Sequence, residues 1–122
     1  MKRDNLVRLA RFKLSEKRRQ LEQLELMMGE FTRMAAELDN QIVNEEKKAG
    51  ISDVQHFAYP TFAKAARARR DNLTNSVKDL KVQTNAARLA LEEAEAELLH
   101  AEKLEQRDGG REEHDERREA FG

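Results

Sequence analysis

Hydrophobic residues recur every seven positions along two long stretches of this chain, in alternating steps of three and four. In the first stretch these steps select Val7, Ala10, Leu14, Lys17, Leu21, Leu24, Met28, Phe31, Ala35, Leu38, Ile42, Glu45 and Ala49. In the second they select Ala63, Ala66, Arg70, Leu73, Val77, Leu80, Thr84, Ala87, Leu91, Ala94, Leu98, Ala101 and Glu105. We call these positions the seam; all of them are apolar except Lys17, Glu45, Arg70, Thr84 and Glu105. A heptad repeat this long predicts two helices, each about 60 Å in length, that pack against another helix along the seam.

The charges predict that the two helices run antiparallel. Residues 2–19 carry a net charge of +6 (eight basic, two acidic), and residues 20–46 carry −6 (one basic, seven acidic). Residues 64–88 carry +5 (seven basic, two acidic), and residues 92–106 carry −5 (one basic, six acidic). An antiparallel hairpin places each basic stretch beside an acidic one, whereas a parallel pair would place like charges together.

The sequence therefore predicts an all-α fold, a long antiparallel two-helix coiled-coil hairpin with a disordered, charged C-terminal tail. The hairpin domain covers residues 1–108, with helices at 4–49 and 61–106 joined by a connector at 50–60. Residues 109–122 follow the hairpin, are mostly charged after an initial Gly pair and lack an apolar stripe, which is typical of a disordered segment.

The lengths of the two stretches also predict a register. If Ala49 faces Ala63, the numbers of facing seam residues add up to 111 or 112, so that Leu38 faces Leu73. Gly50 is a suitable residue to end the first helix, because glycine adopts the left-handed backbone conformation that follows many helices.

Composition changes this interpretation little and excludes several functions. The chain has 122 residues, no cysteine and a net charge of −1, so thiol chemistry and disulfides are ruled out and general nucleic-acid binding is disfavoured. No apolar run approaches membrane-spanning length, so we expect no direct membrane insertion. The three histidines, His56, His100 and His114, are far apart in the predicted hairpin. We expect no catalytic residues, metal site or cofactor, and hence no enzyme.

Apolar residues outside the seam mark two candidate partner-binding surfaces. Those at the open end, where the termini meet, are Leu6, Leu9, Phe12, Leu99 and Leu104. Those near the bend include Phe57, Tyr59 and Phe62, with Ile42 approaching from the first helix. Exposed clusters of this kind mark interaction sites. The alternatives are a widened seam, a connector that packs on itself, or a self-associated bundle.

Five segments of the chain resemble the FliJ family, the coiled-coil component of the flagellar type III export apparatus, and its alphaproteobacterial branch in particular. The segments are Leu6-Val-Arg-Leu-Ala-Arg-Phe-Lys, Met34-Ala-Ala-Glu-Leu-Asp, Ala49-Gly-Ile-Ser-Asp, His56-Phe-Ala-Tyr-Pro and Arg69-Arg-Asp-Asn-Leu. Heptads are shared by all coiled coils, so the connector segments are the specific part of this resemblance.

The resemblance implies a stalk-like protein in the cytoplasm, peripherally associated with the inner membrane at the flagellar base. Its implied partners are the hexameric export ATPase at the open end, the cytoplasmic part of the export gate near the bend, and export chaperones. Tyr59 and Phe62 match the family's aromatic pair in the gate-binding surface, and Ile42 falls near another position of it. Glu45 and Ala49 stand where enterobacterial members carry tyrosines.

Two other functions are compatible with the same residues. A generic coiled-coil scaffold or homo-oligomer would use the same apolar clusters for assembly. A secretion stalk of the injectisome type would share the fold in a different secretion system.

Overall fold

Two long helices that pack against each other make up the protein. The computed structural model describes residues 2–121, with the side chains of residues 5–110. Helix α1 spans Lys2–Ala49 and helix α2 spans Thr61–Phe121. Neither β-strand nor bridge occurs within residues 2–121. The predicted all-α, two-helix fold is confirmed.

The helix bounds next to the connector agree with the prediction, whereas the end of α2 does not. Helix α1 ends at Ala49 and α2 begins at Thr61, as predicted. The predicted end of α2 at residue 106 is wrong, because the helix continues through Gly109 and Gly110 to Phe121. Each glycine costs a helix only about 1 kcal/mol relative to alanine, and the Glu and Arg residues that follow are good helix formers. From residue 111 on, the side chains of the predicted tail lie outside the described residues.

Gly50 ends helix α1 in a Schellman motif. Its backbone has a φ of 70°, in the left-handed region that glycine adopts without a steric penalty. The Ile51 N–H donates to the Glu46 carbonyl at 3.2 Å, and the Gly50 N–H donates to the Lys47 carbonyl at 3.3 Å. Because these two bonds satisfy carbonyls that the helix end leaves without partners, the helix stops here and the connector begins.

Two consecutive turns carry the connector to helix α2. The His56 N–H donates to the Asp53 carbonyl at 3.1 Å, and the Tyr59 N–H donates to the His56 carbonyl at 3.0 Å. The Pro60 carbonyl then accepts the first helical hydrogen bond, from the Lys64 N–H at 3.1 Å. Pro60 is therefore the residue that caps α2, and its lack of an N–H costs nothing at this position.

The chain divides into two units, which we describe separately. The termini unit consists of Met1–Glu22 and Ala86–Gly122, and the bend unit is Gln23–Asn85. In both units the seam residues are buried or half-buried, with the exception of Ala49. The most buried are Val7, Ala10, Leu14 and Ala94 in the termini unit and Ile42, Ala63, Ala66, Leu80 and Thr84 in the bend unit. The heptad pattern thus identified the packed face of each helix.

Ion pairs in the termini unit agree with the predicted register. Arg11 Nη2 lies 4.0 Å from Glu102 Oε1, and Lys13 Nζ lies 3.9 Å from Glu97 Oε2. Their residue numbers add up to 113 and 110, close to the predicted 111 or 112. A slip of one heptad would change these totals by seven. Each exposed pair stabilises the fold by at most about 1 kcal/mol, so its main effect is to favour this register and orientation.

The bend unit has the same orientation and register. Arg70 Nη1 donates to Asp39 Oδ1 at 2.9 Å, and Arg67 Nη1 lies 3.7 Å from Glu46 Oε2. These residue numbers add up to 109 and 113. Arg70 is half-buried at this seam position, and its hydrogen bonds to Asp39 and Asp71 raise the pKa of its guanidinium.

Candidate partner-binding surfaces

Tyr59 connects the connector to both helices of the bend unit. Only 8% of its surface is exposed. Its hydroxyl donates to Glu46 Oε2 at 3.0 Å, and Arg67 Nη1 lies 3.7 Å from the same oxygen. Burial raises the pKa of Tyr59, and the hydrogen bond to the Glu46 carboxylate raises it further. This side chain therefore holds the connector in place through a polar cluster that we call the Tyr59 anchor (Tyr59, Glu46 and Arg67).

Two of the four residues predicted to bind a partner near the bend are inside the packing. Ile42 is 3% exposed on the seam, and Tyr59 is buried in its anchor. A partner cannot contact either side chain in this arrangement. Ile42 and Tyr59 therefore do not form an exposed surface together with Phe57 and Phe62, because Ile42 packs in the seam and the hydroxyl of Tyr59 is bonded to Glu46.

The other two predicted residues, Phe57 and Phe62, are available to a partner. The side chain of Phe57 is 96% exposed, and its ring stacks on His56 with centroids 4.7 Å apart. The His56 Nδ1 in turn accepts a hydrogen bond from the Ala58 N–H at 3.0 Å, which fixes the imidazole beside the backbone. Phe62 lies in the first turn of α2 and is more than half exposed. The structure thus separates a structural aromatic residue, Tyr59, from two exposed ones.

The sequence reasoning missed the two partners of Tyr59. Glu46 and Arg67 each directly follow a seam position, Glu45 and Ala66, so both lie at position e of the heptad. Residues at e on antiparallel helices flank the same side of the seam and can meet there. The two charged residues at position e, together with a tyrosine in the connector, could have predicted that the tyrosine hydroxyl meets Glu46 and Arg67.

A concavity in the bend unit lies beside the Schellman motif. It has a volume of about 350 Å³ and is lined by Val43, Glu46, Lys47, Gly50, Ile51 and Ser52. Val43 is nearly half exposed here. The cleft contains no residue of the predicted gate-binding set, so it does not extend the surface of Phe57 and Phe62.

In the termini unit, three of the five predicted residues surround one groove. The groove has a volume of about 290 Å³ and is lined by Leu6, Leu9, Ala10, Lys13, Glu97, His100, Ala101 and Leu104. Leu6 and Leu9 are each about half exposed, and Leu104 is half-buried. The structure therefore brings together Leu6, Leu9 and Leu104 from the two helices.

Phe12 and Leu99 do not line this groove, although both are exposed. With Val7 and Ala10 at positions a and d, Leu6 takes g and Leu9 takes c, which are adjacent on one flank of the helix. Phe12 takes f, on the side opposite the seam, and Leu99 takes b on α2. The predicted open-end cluster is therefore divided between a groove and two separate exposed side chains.

Comparison with known proteins gives no further information about these surfaces. No model of a protein family matches the chain, and no curated protein or solved structure matches it. Among the side chains that the structure describes, no group of three or more His, Cys, Asp or Glu could hold a metal ion. Over the same part of the chain, neither helix contains a stretch long and apolar enough to cross a membrane.

Proposed function

We propose that this protein is a stalk component of flagellar type III protein export, which acts by binding other proteins and not as an enzyme. It couples the hexameric export ATPase to the cytoplasmic part of the export gate and escorts export chaperones, at the cytoplasmic side of the inner membrane. The observation that carries the proposal is the exposure of apolar side chains outside the seam in both units: Leu6, Leu9, Phe12 and Leu99 in one, Phe57 and Phe62 in the other. Such clusters are typical of partner-binding surfaces.

The flagellar setting of this proposal comes from the family resemblance of the connector segments. Its matching segments include Gly50 of the Schellman motif, Asp53 of the first turn, and Tyr59 of the anchor. Each of these residues has a structural role in shaping the bend. Because all coiled coils share heptads, these connector residues are the more specific part of the resemblance.

The termini unit provides the first test. We expect the triple substitution Leu6→Ser, Leu9→Ser and Phe12→Ser to weaken binding to the hexameric export ATPase roughly tenfold or more, since clustered apolar anchors supply most of the affinity of an interface. Leu26→Ser is the matched control, because Leu26 is a similarly exposed leucine of α1 in the bend unit. Circular dichroism of both variants checks that they remain helical. Equal ATPase binding by the triple variant and the control would contradict the proposal for this unit.

The bend unit is tested in the same titrations with the cytoplasmic part of the export gate. We expect Phe57→Ala and Phe62→Ala each to weaken gate binding by about 1–3 kcal/mol, the scale of an aromatic hot spot. Binding of the ATPase should be unchanged in both variants. Equal losses for the two partners would indicate a general defect in folding, and no loss for either would remove these phenylalanines from the proposed gate surface.

A further inference from the structure

The groove of the termini unit has one basic and one acidic edge. Lys13 stands on the α1 edge and Glu97 on the α2 edge, with Nζ and Oε2 3.9 Å apart. More than half of each side chain is exposed, so both retain room for a second charged neighbour. Apart from His100, the rest of the lining is apolar and forms the floor of the groove: Leu6, Leu9, Ala10, Ala101 and Leu104.

This distribution of charge discriminates between possible occupants. An anionic lipid surface or a strongly acidic partner would be attracted to Lys13 but repelled by Glu97. A basic partner would be attracted to Glu97 but repelled by Lys13. The same conflict extends along the unit, since residues 2–19 carry +6 and residues 92–106 carry −5. An occupant that matches both edges must itself present an acidic and a basic edge on either side of an apolar strip.

A second copy of the same groove meets this requirement. A two-fold axis parallel to the helices of the unit places α1 of one copy beside α2 of the other. Lys13 of each copy then faces Glu97 of the other, and the two apolar floors meet. In such an isologous contact one patch is complementary to itself, so every favourable pair occurs twice.

We propose that the groove formed by Leu6, Leu9 and Leu104 is a self-association surface, through which two copies of this chain pair by a two-fold axis parallel to their helices. This inference goes beyond the proposed export function and does not rest on it, because it concerns the chain alone. Pairing covers Leu6 and Leu9 and leaves Phe12 and Leu99 accessible, so the pair and the binding of another protein through Leu6 and Leu9 exclude each other.

Analytical ultracentrifugation of the full chain tests the floor of the groove. The wild-type protein should sediment as a dimer whose fraction rises with concentration. Leu9→Asn and Leu104→Asn should each weaken dimerisation roughly tenfold or more, as expected for residues at the centre of an interface. Leu89→Asn is the matched control, because Leu89 is an exposed leucine of the same unit outside the groove. Phe12→Ser should also leave the dimer intact. A wild-type monomer at all concentrations, or equal effects of Leu9→Asn and Leu89→Asn, would overturn the proposal.

Charge reversal tests the arrangement of the two copies. Lys13→Glu and Glu97→Lys each create like charges across the pair, so each variant alone should dimerise less than the wild-type protein at the same concentration. An equimolar mixture of the two variants should form a heterodimer, because the new carboxylate of one chain then faces the new ammonium group of the other. The contact between residues 13 and 97 within each chain stays repulsive in the mixture, so recovery can come only from contacts between chains. A mixture that remains monomeric while the wild-type protein dimerises would contradict the two-fold arrangement.

Co-sedimentation with vesicles of anionic phospholipid tests the other possible occupant of the groove, a lipid surface. We expect no binding that depends on Leu9. Binding of the monomeric wild-type protein to these vesicles that is lost in Leu9→Asn and kept in Leu89→Asn would replace self-association by a membrane-surface role.

Discussion

The two units pack their helices in the same way but differ in the burial of residues outside the seam. Each pairs two antiparallel helices along the heptad seam, and each has ion pairs between the helices. In the bend unit an apolar residue outside the seam, Tyr59, is buried, whereas Leu6 and Leu9 in the termini unit stay about half exposed. The difference follows from the connector, a third segment that can fold against the helices of the bend unit. Burial outside the seam thus depends on an additional segment and not on hydrophobicity alone.

The seams of the two units also differ in polarity. Among the described side chains, the most buried residues of the termini unit are all apolar. In the bend unit, Thr84 is 1% exposed, and its Oγ1 has no hydrogen-bond partner among the described residues. A buried hydroxyl without a partner costs about 1–3 kcal/mol. The bend unit therefore combines a stabilising polar anchor at Tyr59 with a destabilising polar group in its seam.

The largest expected effect is the loss of the Tyr59 ring. We expect Tyr59→Ala to lower the melting temperature by about 10 °C, because it removes a buried aromatic side chain together with its anchor. Phe12→Ala, which removes an exposed aromatic residue of the termini unit, should lower it by less than about 2 °C. Thermal unfolding followed by circular dichroism measures both. Similar losses in the two variants would mean that the buried Tyr59 contributes no more to stability than the exposed Phe12.

A smaller effect of opposite sign is expected for Thr84. We expect Thr84→Val to stabilise the protein by about 1 kcal/mol, because valine keeps the shape of threonine and removes a hydroxyl that lacks a partner. Thr74→Val is the control: the exposed Thr74 Oγ1 donates to the Arg70 carbonyl at 3.0 Å, so its loss should change stability little. Urea unfolding of both variants gives the comparison. A destabilised Thr84→Val protein would mean that this hydroxyl has a partner in solution.

The smallest effect is a shift in the titration of Tyr59. It is the only tyrosine and the chain has no tryptophan, so the ultraviolet absorbance of tyrosinate reports on this residue alone. Burial and the hydrogen bond to Glu46 raise its pKa above the ordinary 10.0. We expect the absorbance midpoint to lie above that value in the folded protein and to return to it in concentrated urea.

The sign of the linked change in stability follows from this shift. The stabilisation from protonated Tyr59 is complete below the unfolded pKa of 10.0 and is lost as the pH rises through the higher folded pKa. Tyr59→Phe should lack this part of the alkaline loss of stability. A Tyr59 midpoint that is the same with and without urea would place the phenol in water and contradict the anchor.

The sequence determined the main features of the fold, because these depend on periodic and local properties. The heptads identified the buried face of both helices, the charge blocks predicted their antiparallel orientation, and the lengths of the two stretches predicted their register. The end of α1 followed from Gly50, since a left-handed residue after a helix favours glycine. Each of these features depends on neighbouring residues or on a repeat, so it could be predicted without knowing which distant residues are in contact.

The candidate surfaces, in contrast, were only partly predictable. The sequence grouped Tyr59 with Phe57 and Phe62 because all three are aromatic residues near the bend. Only the tertiary structure showed that the Tyr59 hydroxyl reaches Glu46 while Phe57 faces solvent. It likewise separated Phe12 from the leucines of the groove. The connector has no repeat from which side-chain directions can be read, and burial there is decided by contacts between residues distant in sequence, as in the 13-residue separation of Tyr59 and Glu46.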